Sequence, residues 1–274
     1  MTKKVIPGNS FLLKTLAAIS SFVRDAVSSE MESIRIARAT CSLLFTGVSA
    51  RTPIFMTGAE LLIRRQKPDG GWSDPEETAW VAAVLRLVRG DDDLSLDAAR
   101  QWLASARHST GGWGRHARDQ VRIPTTALVI ALTPSVARSE DSAWLTTEWQ
   151  RDFEGPVRLS YKAGFFLLAM AQGHENDLVV RTISHLAQDQ NDDGGFGPWH
   201  DHPIGSDPWS TGVVLWGLSK WIDHVDSVVI EKALDWLRKT QLPSGYWPYH
   251  YLDDGTSLAL IGAVSAMKAL ATKE

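Results

Sequence analysis

Apolar and polar positions along this chain fall into two alternating kinds of segment. Residues 95–107 place Leu96, Ala99, Trp102, Leu103 and Ala106 at helical spacing, with Asp97, Arg100 and Gln101 on other faces. Residues 228–240 repeat the arrangement with Val229, Ala233, Trp236 and Leu237. Between such segments lie stretches, 125–132, 210–218 and 257–266, that are apolar on nearly every side. A helix with one apolar stripe lies on a surface, whereas one that is apolar all round is buried. Alternation of the two kinds predicts concentric layers, wet helices outside and greasy ones inside.

The segments pair as 10–27 with 31–47, 54–66 with 77–89, 95–107 with 124–133, 139–151 with 158–172, 177–190 with 209–222, and 228–240 with 256–271. Six helical hairpins can close into a ring, which removes the exposed ends that an open stack must cap. The expected fold is therefore all-α, an (α/α)6 barrel in which residues 1–274 form one domain. An open helical solenoid is the alternative.

A short phrase separates the two members of several pairs. It reads Gln66-Lys-Pro-Asp-Gly-Gly-Trp72, Ala106-Arg-His-Ser-Thr-Gly-Gly-Trp113, Gln190-Asn-Asp-Asp-Gly-Gly-Phe196 and Gln241-Leu-Pro-Ser-Gly-Tyr-Trp247. The segment from Trp149 to Gly155 reads as an eroded copy. A unit recurring at such intervals fixes an architecture of repeats. Glycine permits a tight, partly left-handed exit from a helix. The aromatic then covers the turn, and the glutamine amide can satisfy orphan backbone groups at a neighbouring helix end. These residues are read as structural staples.

Composition narrows the function classes. A net charge of −4 with both signs scattered gives no basic footprint for nucleic acid. The one cysteine, Cys41, excludes an intramolecular disulfide and a cysteine-rich zinc site. Residues 1–23 are apolar only in part and are broken by Lys14, so they read as a first helix rather than a signal peptide. The absence of a run of eighteen uncharged apolar residues leads to the expectation of no transmembrane segment and a cytoplasmic location.

The glutamine-glycine-tryptophan phrase resembles the QW repeat of squalene cyclases, oxidosqualene cyclases and protein prenyltransferase β-subunits. The resemblance covers about residues 54–270 and implies an (α/α)6 barrel. Asp74-Pro-Glu-Glu-Thr-Ala79 looks like the Asp-x-Asp-Asp-Thr-Ala motif of class II terpene cyclases, with glutamates in the last two acidic places. In that family the middle acid protonates an alkene or epoxide and starts a carbocation cyclisation. The match implies that role for Glu76, with Asp74 and Glu77 beside it. Asp207-Pro-Trp-Ser-Thr211 keeps only the first acid, and Asp253-Asp254-Gly-Thr256 closes the last repeat.

Helix capping accounts for the same residues in another way. Asp74 is a good N-cap, Pro75 suits the first helical position, and Glu77 falls at N3. The positive end of a helix also stabilises a carboxylate anion, which opposes holding a proton at neutral pH. A proton-donating acid there must be kept neutral by burial or by a neighbouring like charge, which adjacent Glu76 and Glu77 can supply. Both readings stay open on the residues alone.

Candidate donors are thus Glu76 or Asp207, supported by Glu77 and Asp254. Candidate substrate contacts are Trp80, Tyr161, Phe165, Trp209, Trp216, His200 and His250, because π faces stabilise passing cations and line apolar pockets. Core packing explains the aromatics equally well. The zinc site of prenyltransferase β-subunits is not matched, since Trp209 stands where that family has cysteine; neither a metal nor an organic cofactor is expected. Arg115, Arg118 and Arg122 form a basic loop that would suit a diphosphate. The implied activity is protonation-initiated cyclisation of an isoprenoid or polyprenyl substrate in an aromatic-lined barrel, with one greasy hollow at the loop-bearing mouth. A non-catalytic isoprenoid-binding barrel or protein-partner subunit, and a glycan-active (α/α)6 enzyme, are the alternatives.

Overall fold

In a computed structural model the described residues are 10–116, 119–171 and 176–273. Helices begin where the chain offers a cap. Asp74 Oδ1 accepts from the backbone N–H of Glu77 at 2.9 Å, with Pro75 opening the helix. Asp207 and Pro208 do the same for a later helix, and Asp93, Asn176 and Asp226 cap three others. These side chains satisfy N–H groups that a helix start leaves unpaired.

The described residues form helices α1 (Ser10–Ser28), α2 (Ser33–Thr46), α3 (Pro53–Arg64), α4 (Pro75–Arg89), α5 (Leu94–Ser105) and α6 (Ile123–Leu132). They continue as α7 (Ser139–Glu154), α8 (Ser160–Met170), α9 (Asp177–Asp189), α10 (Pro208–Leu218), α11 (Ser227–Thr240) and α12 (Leu252–Lys273). A 3-10 turn, Ser219–His224, follows α10. The even-numbered helices are the inner layer. Packing runs from α2 to α4, α6, α8, α10 and α12, and α12 returns to α2. That return closes the ring, so the six hairpins form an (α/α)6 barrel and not an open solenoid.

The repeated phrase builds the same device four times. Its first glycine adopts φ of +94° at Gly70, +91° at Gly111, +92° at Gly194 and +89° at Gly245. A Cβ there would also press on the backbone of the next outer helix, 2.6 Å from Ala98 O at Gly70 and 2.5 Å from Lys14 O at Gly245. Gln66 Nε2 donates to Gly70 O and Ser95 O, and Gln190 Nε2 to Gly194 O and Val229 O, all at 2.8 Å. Each glutamine thus ties its own turn to the start of the next outer helix. In the second copy Arg107 takes the glutamine's place, ion-paired at 3.0 Å to Asp141, a fully buried residue of α7.

The aromatic of each phrase is joined to the inner layer. Backbone N–H groups of Trp72, Trp113, Phe196 and Trp247 donate to the hydroxyls of Thr78, Thr126, Thr211 and Thr256 at 2.9–3.1 Å. The indole N–H groups of Trp72, Trp113 and Trp247 reach the carbonyls of Leu62, Leu103 and Leu237. These four threonines open α4, α6, α10 and α12, so the four inner helices start at one rim.

Close approach of inner helices also needs glycine. A Cβ on Gly262 would lie 2.1 Å from Gly212 O, and one on Gly217 would lie 2.3 Å from Gly164 O. Helices α8, α10 and α12 therefore pack almost backbone to backbone. By length and composition α12 could cross a bilayer, but 56% of its apolar window is buried within the ring.

Candidate active site at the helix-start rim

Repetition of the aromatic-to-threonine bond sets equivalent positions. Two residues before each threonine stand Glu76, Pro124, Trp209 and Asp254. Two of these four places carry acids, and a third carries an indole. Arg38, from α2, joins the two acids: its Nη2 lies 3.1 Å from Glu76 Oε1, and its Nη1 pairs with Asp254 Oδ1. Its guanidinium also rests 5.8 Å from the Trp80 ring centroid.

Glu76 sits in a recess, with a third of its side chain still reached by solvent. Burial raises its pKa above the ordinary carboxylate range; Arg38 opposes that rise, and the negative charges of Asp74 and Asp254 add to it. The neighbouring like charges therefore come from Asp74 and Asp254. Adjacent Glu77 is turned away. Its Oε1 accepts from Ile34 N at 3.0 Å and its Oε2 from Ser73 N at 2.8 Å and from the Ser73 hydroxyl. It fastens α4 to α2, and its carboxylate is fully engaged in doing so.

Asp207 is buried at the start of α10. Its Oδ1 accepts from Ser210 N at 2.8 Å and its Oδ2 from Ser210 Oγ at 2.7 Å. Burial raises its pKa, and these hydrogen bonds oppose the rise. Tyr249, on the loop before α12, has its pKa raised by burial first and then by the negative charges of Asp207 and Asp254.

The aromatic candidates divide into two groups. Near the rim, Trp209 meets Tyr161 at 5.5 Å and Phe165 at 5.7 Å, edge to face in both cases. Deeper, Trp80 and Trp216 lie 6.1 Å apart, and Phe45 packs against the far side of Trp216 at 6.1 Å. Trp80 is 1% exposed and its indole nitrogen is buried without a partner. A cavity of about 580 Å³ lies beyond Trp216, where inner helices end. The mouth thus gathers Glu76, Asp254, Tyr161 and Trp209, while the cavity lined by Trp216 lies at the other end of the inner helices.

His200 and His250 lie on the outer loops. His200 is 3.3 Å from Asp201, and exposed His250 rests beside Tyr249 at 5.2 Å. No group of three His, Cys, Asp or Glu side chains suited to a metal occurs among the described residues. Arg122 pairs with Asp119 at 3.0 Å, while Arg118 lies outside the described residues.

Sequence reading missed three members of this rim. Arg38 was legible as a cation between Ala37 and Ala39 on a largely buried helix. Tyr249 carries no motif. Asp253 was quoted without a role; it accepts from Arg35 Nε at 3.0 Å and Nη2 at 2.6 Å, locking α12 to α2.

No protein-family model matches the chain. It is 29% identical over 227 residues to drimenyl diphosphate synthase of Streptantibioticus cattleyicolor, a match covering 70% of this chain and 41% of the relative. The matched part is therefore about two fifths of that relative's length. Among solved structures, a variant of the type II terpene cyclase MstE from Scytonema, in complex with its substrate geranylgeranyl dihydroxybenzoate, aligns with a TM-score of 0.77. That alignment covers 97% of this chain and 100% of MstE at 17% identity. The ent-copalyl diphosphate synthase of Streptomyces platensis aligns with a TM-score of 0.62 over 86% of this chain and 50% of that one, at 16% identity. The barrel built by these repeats is the fold of the type II terpene cyclases.

Proposed function

We propose that this chain is a class II terpene cyclase whose (α/α)6 barrel acts on an isoprenoid or polyprenyl substrate. One observation carries the reading. Glu76 occupies the inner-helix start at a rim that also holds a second acid, and burial raises its pKa. A carboxylic acid that protonates an alkene must keep its proton until the substrate arrives. Class II cyclisation then runs by alkene attack on the new cation, with loss of a proton ending the sequence.

Glu76 is the donor in this reading. Arg38, itself paired with Asp254, holds its carboxyl in place, and Tyr161, Phe165 and Trp209 supply π faces to the cation. Trp80 and Trp216 form the floor. Asp207, engaged by Ser210 through both oxygens, serves the fold of the rim rather than the proton transfer. The relatives support an isoprenoid substrate: the names of two are diphosphate synthases, and a third binds a geranylgeranyl compound.

The test compares Glu76→Gln with Asp207→Asn on geranyl-, farnesyl- and geranylgeranyl-type substrates. Cyclised product is expected to disappear with Glu76→Gln and to persist with Asp207→Asn. Wild-type turnover by Glu76→Gln would overturn the assignment. A wild-type protein that binds these substrates without converting them would favour a non-catalytic isoprenoid-binding barrel.

A further inference from the structure

The cavity beyond Trp216 lies at the end of the ring opposite Glu76. Glu76 and Arg86 are ten residues apart on α4, about 15 Å along a helix axis, and the Trp80–Trp216 pair lies between the two ends. Its volume of about 580 Å³ falls in the usual range of small-molecule pockets. Phe45, Leu132, Leu168 and Trp216 give it apolar walls. Arg86, Lys220 and Lys268 are its charged lining, and no carboxylate lines it.

Three cations at the ends of inner helices have an ordinary explanation, because helix C-termini attract positive charge. Lys268 fits it: its Nζ donates to Phe45 O, near the end of α2, at 2.8 Å. Arg86, in the last turn of α4, and Lys220, just after α10, share that position without such a bond. Neither makes a hydrogen bond or an ion pair among the described residues, and Arg86 Nε is buried without a partner. Lys220 stands exposed at the lip of the cavity with no anion beside it. A buried guanidinium nitrogen without a partner is unfavourable in the empty protein and becomes favourable when an anion joins it, and the exposed Lys220 and Lys268 add positive charge beside it.

We propose that this cavity is a second ligand site, separate from the acidic mouth, and that it takes the diphosphate or phosphate head of an amphiphile. Arg86 offers its planar fork of N–H donors to the anion, and Lys220 supplies a point charge. The apolar walls receive the first part of the attached chain. Free inorganic diphosphate shares the head-group chemistry, and the chain distinguishes the two sources.

The experiment is calorimetric titration of the intact protein with inorganic pyrophosphate, farnesyl diphosphate and farnesol, repeated on Arg86→Gln and Lys220→Met. Pyrophosphate is expected to bind the wild type, and each variant is expected to weaken it about tenfold or more. Tighter binding of farnesyl diphosphate than of pyrophosphate would identify an amphiphile; equal binding would identify the free anion. A thermal melt accompanies each variant. Because both cations are unpaired, removing either should leave the melting temperature unchanged or raised, whereas a structural role would lower it. Absence of pyrophosphate binding, or wild-type affinity in both variants, would overturn the site. The pyrophosphate measurement does not depend on cyclase activity.

Discussion

Gln241 donates from Nε2 to the carbonyl oxygen of Phe11 at 2.9 Å, a contact spanning 230 residues of sequence. It joins the last outer helix to the first, and the same amide reaches Thr15 Oγ1 at 2.6 Å and Gly245 O at 3.3 Å. Gln66 and Gln190 make the equivalent bonds between consecutive helices, so the ring closes with the device that builds it.

Removing that amide leaves partly buried acceptors unpaired. Gln241→Ala is expected to destabilise the fold by about 1–3 kcal/mol. A lower urea midpoint with an unchanged slope would show loss of the bonds alone; an unchanged midpoint would mean that the ring is held elsewhere.

Arg107 carries the larger load in the second copy, because its partner Asp141 is fully buried and also accepts from Gly112 N at 2.8 Å. Arg107→Ala strands a buried charge and is expected to cost about 3–5 kcal/mol. Adding Asp141→Asn should recover part of that loss. A double variant as unstable as the sum of two single changes would contradict a direct coupling.

Asp207 gives a pH signature. A carboxyl whose pKa is raised in the folded protein binds its proton more tightly folded than unfolded. Its contribution therefore favours the fold in acid and is lost as pH rises from the ordinary carboxylate range through the raised value. Asp207→Asn keeps an oxygen to cap Ser210 N and is uncharged throughout. The stability of the variant relative to wild type is expected to be greatest near neutral pH and to shrink on acidification. Denaturation curves at several pH values read this directly.

In the proposed reaction Arg38 positions Glu76, and its removal separates that role from packing. The cation holds the Glu76 pKa down against burial. With Arg38→Gln the alkaline limb of cyclisation should move to higher pH, because Glu76 then keeps its proton longer. A limb that stays in place while turnover falls would leave Arg38 a merely structural part.

The sequence by itself determined the layers, the helix order and the staples. An inner helix such as residues 210–218 has no polar face to offer solvent, and the repeated phrase supplies its glycine turn wherever it stands. Such local features survive in a linear reading because they depend on neighbours three or four residues away. Only the tertiary structure decided where each acid points and what it meets. Glu76 and Glu77 are adjacent in sequence, yet successive positions on a helix point about 100° apart. One faces the Arg38 recess, and the other bonds to Ser73 and Ile34. The meeting of Trp80 and Trp216, and the gathering of Arg86 and Lys220 around one cavity, likewise arise from helices far apart in the chain. Burial and partner choice depend on what the other helices bring to each site, and no spacing rule along one strand of sequence contains that information.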